Sequence, residues 1–166
     1  MSSVARRAIR RLKRLRNAVA GLSGFQFFFR ELALRDLVHP WITAQVQPKG
    51  IHPVWTRNGG RFLYSGVADD LLARKIVWSR FIDIDATMSL LSRLLPPGGT
   101  LVDVGAYSGV HTLAALADVS SAGAICVEPN PESLVLLRRN LAINNLENSV
   151  DVHDVAVSDE DGQSTL

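Results

Sequence analysis

The segment TLVDVGAYSGVHTLAAL, residues 100–116, contains the pattern that decides the fold. A short apolar run over Leu101–Val104 is typical of a buried strand, and two glycines follow it. From Val110 to about Asp118 the apolar residues recur at helical spacing, which predicts a helix. In open α/β sheets, the turn between such a strand and helix lies where ligands bind, beyond the carboxyl end of the strand.

The alternation of strands and helices continues downstream. The sequence predicts a second strand over Ala124–Val127 and a third over residues 150–157. Between them a helix is expected to begin at Pro131, a residue favoured in the first turn, with Asn130 as its N-cap. The β-α-β-α-β order with apolar strands predicts an α/β fold with a parallel sheet and right-handed crossovers.

The residues before this unit form a more mixed lead-in. Two short apolar runs, at Val54–Thr56 and Phe62–Tyr64, flank the sequence RNGG and predict a β-hairpin. Helical patterns follow over residues 69–78 and over Ala86–Leu95, and the second of these ends at PPGG.

The basic charge is concentrated at the amino end. Residues 1–30 hold eight Arg or Lys and no acid, although the net charge of the whole chain is only +2. Residues 4–20 place apolar side chains on one side of a predicted helix and arginines on the other, which suits an anionic membrane or a nucleic acid. The alternative is a solvated helix packed loosely on the domain. Because basic and aromatic residues do not interleave elsewhere, nucleic acid is the less favoured partner.

Other features narrow the class of protein. One cysteine, Cys126, excludes an internal disulfide, and four scattered histidines predict no metal site. No apolar run reaches the length of a transmembrane helix, and the amino end lacks a signal-peptide pattern. We therefore expect a cytoplasmic protein that contacts the membrane peripherally.

The glycine turn favours one class of ligand over two others. A triphosphate-binding loop would end in Gly-Lys-Ser or Gly-Lys-Thr, but Val110 follows Gly109. A dinucleotide turn requires a second glycine where Ala106 stands, and the charge of Asp103 would oppose a pyrophosphate. S-adenosylmethionine (SAM) carries a sulfonium and an ammonium instead of phosphates, so a carboxylate in this strand suits it.

A second acid is placed to bind a ribose. Glu128 ends the second strand, where a carboxylate can accept hydrogen bonds from both ribose hydroxyls. NAD sites use an acid in the same way, so Glu128 does not by itself separate SAM from NAD. In a purely structural interpretation, Asp103 would bind backbone N–H groups of the turn and Glu128 would be solvated.

Three stretches resemble the FkbM-type methyltransferases, a branch of the class I SAM-dependent enzymes. These are LVDVGAYSGVHTL, CVEPNPESLVLLRRNLAINNL and DVHDVAVSDEDG, and the resemblance extends over about residues 54–166. It implies a Rossmann-like class I fold, SAM as cofactor and O-methylation of a small-molecule or sugar hydroxyl.

The resemblance also implies which residues bind the cofactor: Asp103, Gly105, Ala106, Gly109, Glu128, Asn130 and Asp154. The first four would line the methionine end of SAM. Glu128 would hold the ribose with Asn130 beside it, and Asp154 would lie near the adenine amine. The sequence departs from the family at Tyr107, where a smaller asparagine-like residue is common.

The family fold implies more chain than is present. Its seven strands have the order 3-2-1-4-5-7-6, so we expect this chain to be truncated after the third strand, with the first strand as an open edge that pairs with another copy. The expected segments are residues 1–30 (basic, amphipathic), 31–85 (mixed lead-in) and 86–166 (partial SAM-binding domain). No residue is predicted as catalytic base. The alternatives are a non-catalytic remnant that interacts with another protein and a nucleotide-dependent oxidoreductase.

Overall fold

The computed structural model describes residues 23–66, 70–79, 86–160 and 162. The predicted basic helix over residues 4–20 lies outside them. The elements are α1 (Ser23–Leu34), α2 (Pro40–Thr43), β1 (His52–Trp55), β2 (Arg61–Tyr64), α3 (Leu71–Val77), α4 (Ala86–Leu94), β3 (Thr100–Val104), α5 (Val110–Asp118), β4 (Gly123–Val127), α6 (Pro131–Ile143) and β5 (Val150–His153).

Three strands form a parallel sheet in the order β3-β4-β5. Cys126 in the middle strand is level with Asp103 on one side and Val152 on the other. This arrangement confirms the predicted α/β fold with a parallel sheet. The bounds of α5 and the cap of α6 by Asn130 are also as predicted.

The third strand is shorter than predicted, because it ends at His153 and not at Val157. The hydrogen bond from the Glu128 N–H to the His153 carbonyl, 3.0 Å long, lies at the end of the ladder between β4 and β5. Beyond it the chain turns from β4 into α6, so residues 154–157 have no β4 backbone to pair with.

The two faces of the sheet differ in their packing. The side chains of Asp103 and Cys126 point towards α5, where both contact Thr112. Because side chains alternate along a strand, Val102 and Val104 point the other way, and each is 59% exposed. Within the described residues β3 is an edge strand. Its predicted pairing with another copy stays a prediction.

The predicted hairpin is present as the antiparallel pair β1–β2, and it packs against α5 and α6. The side-chain amide of Asn144 accepts from the Leu63 N–H and donates to the Leu63 carbonyl, both at 2.7 Å. Asp118, at the end of α5, accepts from the Gly60 N–H and from the Thr56 hydroxyl. The hairpin is therefore joined to both helices by polar side chains that bind its backbone or its loop.

Helix α1 packs on the layer formed by the hairpin and α3. The rings of Phe29 and Trp78 meet edge to face at 5.1 Å. Arg30 lies over the Trp55 ring and donates to the Pro53 carbonyl at 2.6 Å.

None of the described helices is both long and apolar enough to cross a membrane. The three predicted segments, two of which meet inside α1 at residue 30, stay a prediction.

Candidate ligand-binding site

The glycine turn, residues 105–109, is held over the end of the neighbouring strand. The N–H groups of Gly105 and Ala106 both donate to the Val127 carbonyl, at 2.8 and 3.1 Å. Within the turn the Gly109 N–H donates to the Ala106 carbonyl at 2.7 Å. The turn after β3 and the end of β4 therefore form one hydrogen-bonded unit at the carboxyl edge of the sheet.

The two glycines of the turn are required for different reasons. Both have φ of +78°, in the left-handed region that disfavours side chains. A Cβ on Gly109 would lie 2.5 Å from Leu137 Cδ1, so the close packing of α6 against the turn also favours glycine at this position. A Cβ on Gly105 would meet no atom within 4 Å, so the backbone there faces open space. Space beside Gly105 is what the SAM prediction requires.

Glu128 is buried and joins the two turns that follow β3 and β4. Its Oε2 accepts from the Tyr107 N–H at 2.8 Å and its Oε1 from the Asn130 N–H at 2.9 Å. Because its exposure is only 7%, the interpretation of Glu128 as a solvated residue is wrong. Each carboxylate oxygen has a second lone pair, so two acceptor positions remain for a ligand.

Asp103 is half-buried below the turn. Its Oδ2 accepts from the Thr112 hydroxyl at 2.8 Å, and that hydroxyl lies 3.2 Å from the Cys126 sulfur. Since a carboxylate can only accept, the Thr112 hydrogen goes to Asp103 and the thiol donates to Thr112. Burial raises the pKa of Cys126 to about 11. The bond to Asp103 thus comes from a side chain, and not from the backbone N–H groups expected in the purely structural interpretation.

Tyr107 has an unusual backbone conformation for its residue type. Its φ is +50°, a region that asparagine and glycine tolerate better. The bond from its N–H to Glu128 holds this conformation. Burial, followed by the charge of Asp70, raises the pKa of the Tyr107 hydroxyl. The left-handed backbone explains why an asparagine-like residue suits this position in the family that the sequence resembles.

The remaining two predicted residues lie at the same edge of the sheet. Asn130 Oδ1 accepts from the N–H groups of Glu132 and Ser133, so its side chain caps α6. Asp154 directly follows β5 and is exposed. The fold therefore places all seven predicted residues at or next to the carboxyl ends of the three strands. Their contact with a cofactor stays a prediction.

Sequence reasoning missed a buried polar cluster behind the turn. The hydroxyls of Tyr64 and Ser108 share a hydrogen bond of 2.9 Å, and Tyr64 also donates to Asp70 at 3.3 Å. Asn140 donates to the Ser108 carbonyl at 3.0 Å. A polar residue within the apolar pattern of the α6 segment was the available signal for Asn140. In the described ranges, no three His, Cys, Asp or Glu side chains could together hold a metal ion.

Comparison with known proteins gave matches to solved structures alone. No family model matches the chain, and neither does any curated protein. The chain is similar to the P. horikoshii TYW2 in complex with MeSAdo, with 19% identity and a TM-score of 0.45 over 69% of this chain and 39% of that one.

Two further solved structures show a similar level of likeness. The SAM-dependent methyltransferase from Agrobacterium tumefaciens has 16% identity and a TM-score of 0.42, over 65% of this chain and 33% of that one. Coclaurine N-methyltransferase bound to N-methylheliamine and SAH has 15% identity and a TM-score of 0.41, over 95% of this chain and 46% of that one. The chain spans less than half the length of each of these three structures.

Proposed function

We propose that residues 86–166 form the cofactor-binding half of a SAM-dependent methyltransferase of the FkbM type. The observation that carries this proposal is the pair of acids at the glycine turn. Asp103 lies below the turn and Glu128 beside it, while the Gly105 backbone faces open space. The charge of Asp103 favours a cationic ligand and opposes a pyrophosphate, whereas Glu128 suits a ribose.

The proposed cofactor fits the donor and acceptor groups of the site. SAM bound here would supply an electrophilic methyl group for transfer to a hydroxyl of a small molecule or sugar. Glu128 keeps two acceptor positions for the ribose hydroxyls, and Asp103 contributes negative charge near the methionine end. The Asn130 side chain caps α6, so its contribution is to hold the chain beside the ribose. Asp154 is the proposed contact of the adenine amine.

A calorimetric titration with SAM tests the proposal. We expect saturable binding, and at least a tenfold weaker affinity for Asp103→Asn and for Glu128→Gln, since each substitution removes one negative charge from the site. Asp151→Asn is the matched control because this exposed acid lies on β5 and points to the open face of the sheet. No binding by the folded wild-type chain, or an equal loss in the control, would overturn the proposal.

A binding protein without methyl transfer is the second candidate. It is favoured by the exposed edge strand β3, whose Val102 and Val104 suit a contact with another chain. SAM binding without turnover, together with concentration-dependent dimers lost in Val104→Lys, would support this candidate. Methyl transfer by the monomer would exclude it.

We also propose that residues 4–20 contact an anionic membrane surface from the cytoplasm. The first 30 residues hold eight Arg or Lys and no acid, and the adjoining helix α1 exposes Phe27 and Phe28 at 71% and 63%. Sedimentation with phosphatidylglycerol vesicles should retain the protein at low salt, and replacing Arg10, Arg11 and Arg14 together with Glu should weaken retention. Equal binding to neutral phosphatidylcholine vesicles would contradict the role of charge.

A further inference from the structure

We infer that the β1–β2 hairpin positions the glycine turn for its ligand, and that Tyr64 is the positioning residue. The ligand half of this inference rests on the proposed function, because it takes the turn as the SAM site. The hairpin itself does not supply any of the seven predicted contact residues. Its effect on the ligand is therefore indirect.

Ser108 is the residue of the turn on which the hairpin acts. It lies between Tyr107 and Gly109, both of which have left-handed backbone conformations, and it is completely buried. Its hydroxyl bonds Tyr64 at 2.9 Å and its carbonyl accepts from Asn140 at 3.0 Å. Ser108 is thus fixed through its side chain by the hairpin and through its main chain by α6.

The two groups that hold Ser108 are connected to each other. Asn140 Oδ1 accepts from the Ser65 N–H at 2.9 Å, directly after Tyr64 in the chain. Tyr64 also bonds Asp70, whose Oδ1 caps the first turn of α3. Tyr64, Ser108 and Asn140 have no exposed surface, and burial raises the pKa of the Tyr64 hydroxyl. Because an unpaired polar group in such a place is costly, the network allows one arrangement of the turn.

Other contacts hold the hairpin without touching the turn, and they provide a control. Asn144 binds both backbone groups of Leu63 but also donates to the Asn140 carbonyl, so it is linked to the residue that holds Ser108. At the hairpin loop, the Thr56 hydroxyl donates to Asp118 and accepts from the Gly60 N–H, and these loop bonds lie outside the network around Ser108. Loss of these bonds weakens the attachment of the hairpin but leaves the bond between Tyr64 and Ser108 in place. A purely structural hairpin would respond alike to both kinds of substitution.

Two measurements on the full chain separate positioning from simple stabilisation. In the ligand-free protein, Tyr64→Phe should speed amide hydrogen exchange in residues 105–109 about tenfold, because the buried hydrogen bond to Ser108 is lost. The same variant should weaken S-adenosylhomocysteine (SAH) binding about tenfold at a temperature where it is fully folded. Thr56→Val, which likewise removes one buried hydroxyl of the hairpin segment, should change neither quantity by more than about twofold, even if it lowers the unfolding temperature more than Tyr64→Phe does.

A double substitution tests the direct link. At the turn, Ser108→Ala should have the effects of Tyr64→Phe, and the double variant should have little more, since both substitutions remove the bond between Tyr64 and Ser108. Tyr64→Phe also removes the 3.3 Å bond to Asp70, so the comparison is made on exchange at the turn and not on overall stability. Unchanged exchange in Tyr64→Phe, faster exchange with unchanged SAH affinity, or equal effects in Thr56→Val would each overturn the inference. If the wild type binds no SAH, the proposed function and the ligand half of the inference fail, and the exchange data decide whether Tyr64 still orders the turn.

Discussion

The ends of β4 and β5 lie side by side in the sheet and each is followed by a predicted ligand contact, yet they are built differently. After β4, Glu128 is buried and binds two backbone N–H groups, one of them in the turn after β3. After β5, the strand pairing stops at His153 and Asp154 is exposed. Glu128 is therefore part of the packed structure, whereas Asp154 lies on its surface.

This difference separates two contributions that a ligand-binding acid can make, one to stability and one to affinity. Glu128 joins the two turns through its own hydrogen bonds, so its substitution should affect both stability and binding. Asp154 has the position of a ligand contact without a buried structural role, so its substitution should affect binding alone. Stability and affinity measured on the same variants therefore distinguish the two ends of the sheet.

The largest expected effect concerns the glycines of the turn. Gly109→Ala should lower the free energy of unfolding by about 2–4 kcal/mol, because it adds a left-handed strain to a clash with the buried Leu137. Gly105→Ala should cost only about 1–2 kcal/mol, since its Cβ meets open space. It should nevertheless weaken SAH binding by filling that space. Urea unfolding curves check the first two values, and equal costs would contradict the packing of α6 on Gly109.

The next prediction compares substitutions of the two acids, Glu128 and Asp154. Glu128→Ala should cost about 1–3 kcal/mol, because it leaves the N–H groups of Tyr107 and Asn130 without their acceptor. Asp154→Ala should stay within about 0.5 kcal/mol, as is usual for an exposed side chain. Both should weaken SAH binding. A large loss of stability in Asp154→Ala would show that the segment after β5 is packed more firmly than its exposure indicates.

A smaller gain is expected at Tyr107. Asn tolerates the φ of +50° better than Tyr, so Tyr107→Asn should raise the free energy of unfolding by about 0.5–1 kcal/mol. Thermal unfolding measures this, and Tyr107→Phe serves as the control because it keeps the backbone strain. A destabilised Tyr107→Asn would mean that packing of the ring outweighs the strain.

The smallest signal should come from the thiol beneath the turn. Cys126 is buried and its pKa is raised to about 11, so the folded protein should react very slowly with iodoacetamide at pH 8. Glu128→Ala should speed the labelling by loosening the turn, while Asp154→Ala should not. Mass spectrometry of timed samples gives both rates. Fast labelling of the folded wild type would contradict the closed packing around Cys126.

The elements of the sheet were predictable because local signals and packing agree there. Apolar runs and helical periodicity marked β3, α5 and β4, and Asn130 followed by proline marked the start of α6. The end of β5 was not predictable in the same way, because it depends on where β4 turns away from the ladder. The apolar pattern continues over Val155 and Val157 and does not indicate where β4 ends.

The candidate site was predictable in its position but not in its internal bonds. The two acids and the glycines indicated the turn, and Asp103 with Ala106 favoured a cationic ligand over a pyrophosphate. The contacts of Glu128 with the Tyr107 N–H and of Asn140 with Ser108 depend on tertiary packing. In the sequence, Asn140 within α6 and Asn144 directly after it are ordinary polar residues, and only the packed hairpin gives them their hydrogen-bond partners.

Amide hydrogen exchange of the wild-type chain with and without saturating SAH tests the central claim most directly. If the glycine turn is the SAM site, residues 105–109, Glu128 and Asn130 should gain protection on addition of SAH. The hairpin loop, residues 56–60, should not change, because it is bound to Asp118, at the opposite end of α5 from the turn. No added protection at the turn, or protection that appears only elsewhere in the described chain, would contradict the assignment of this site.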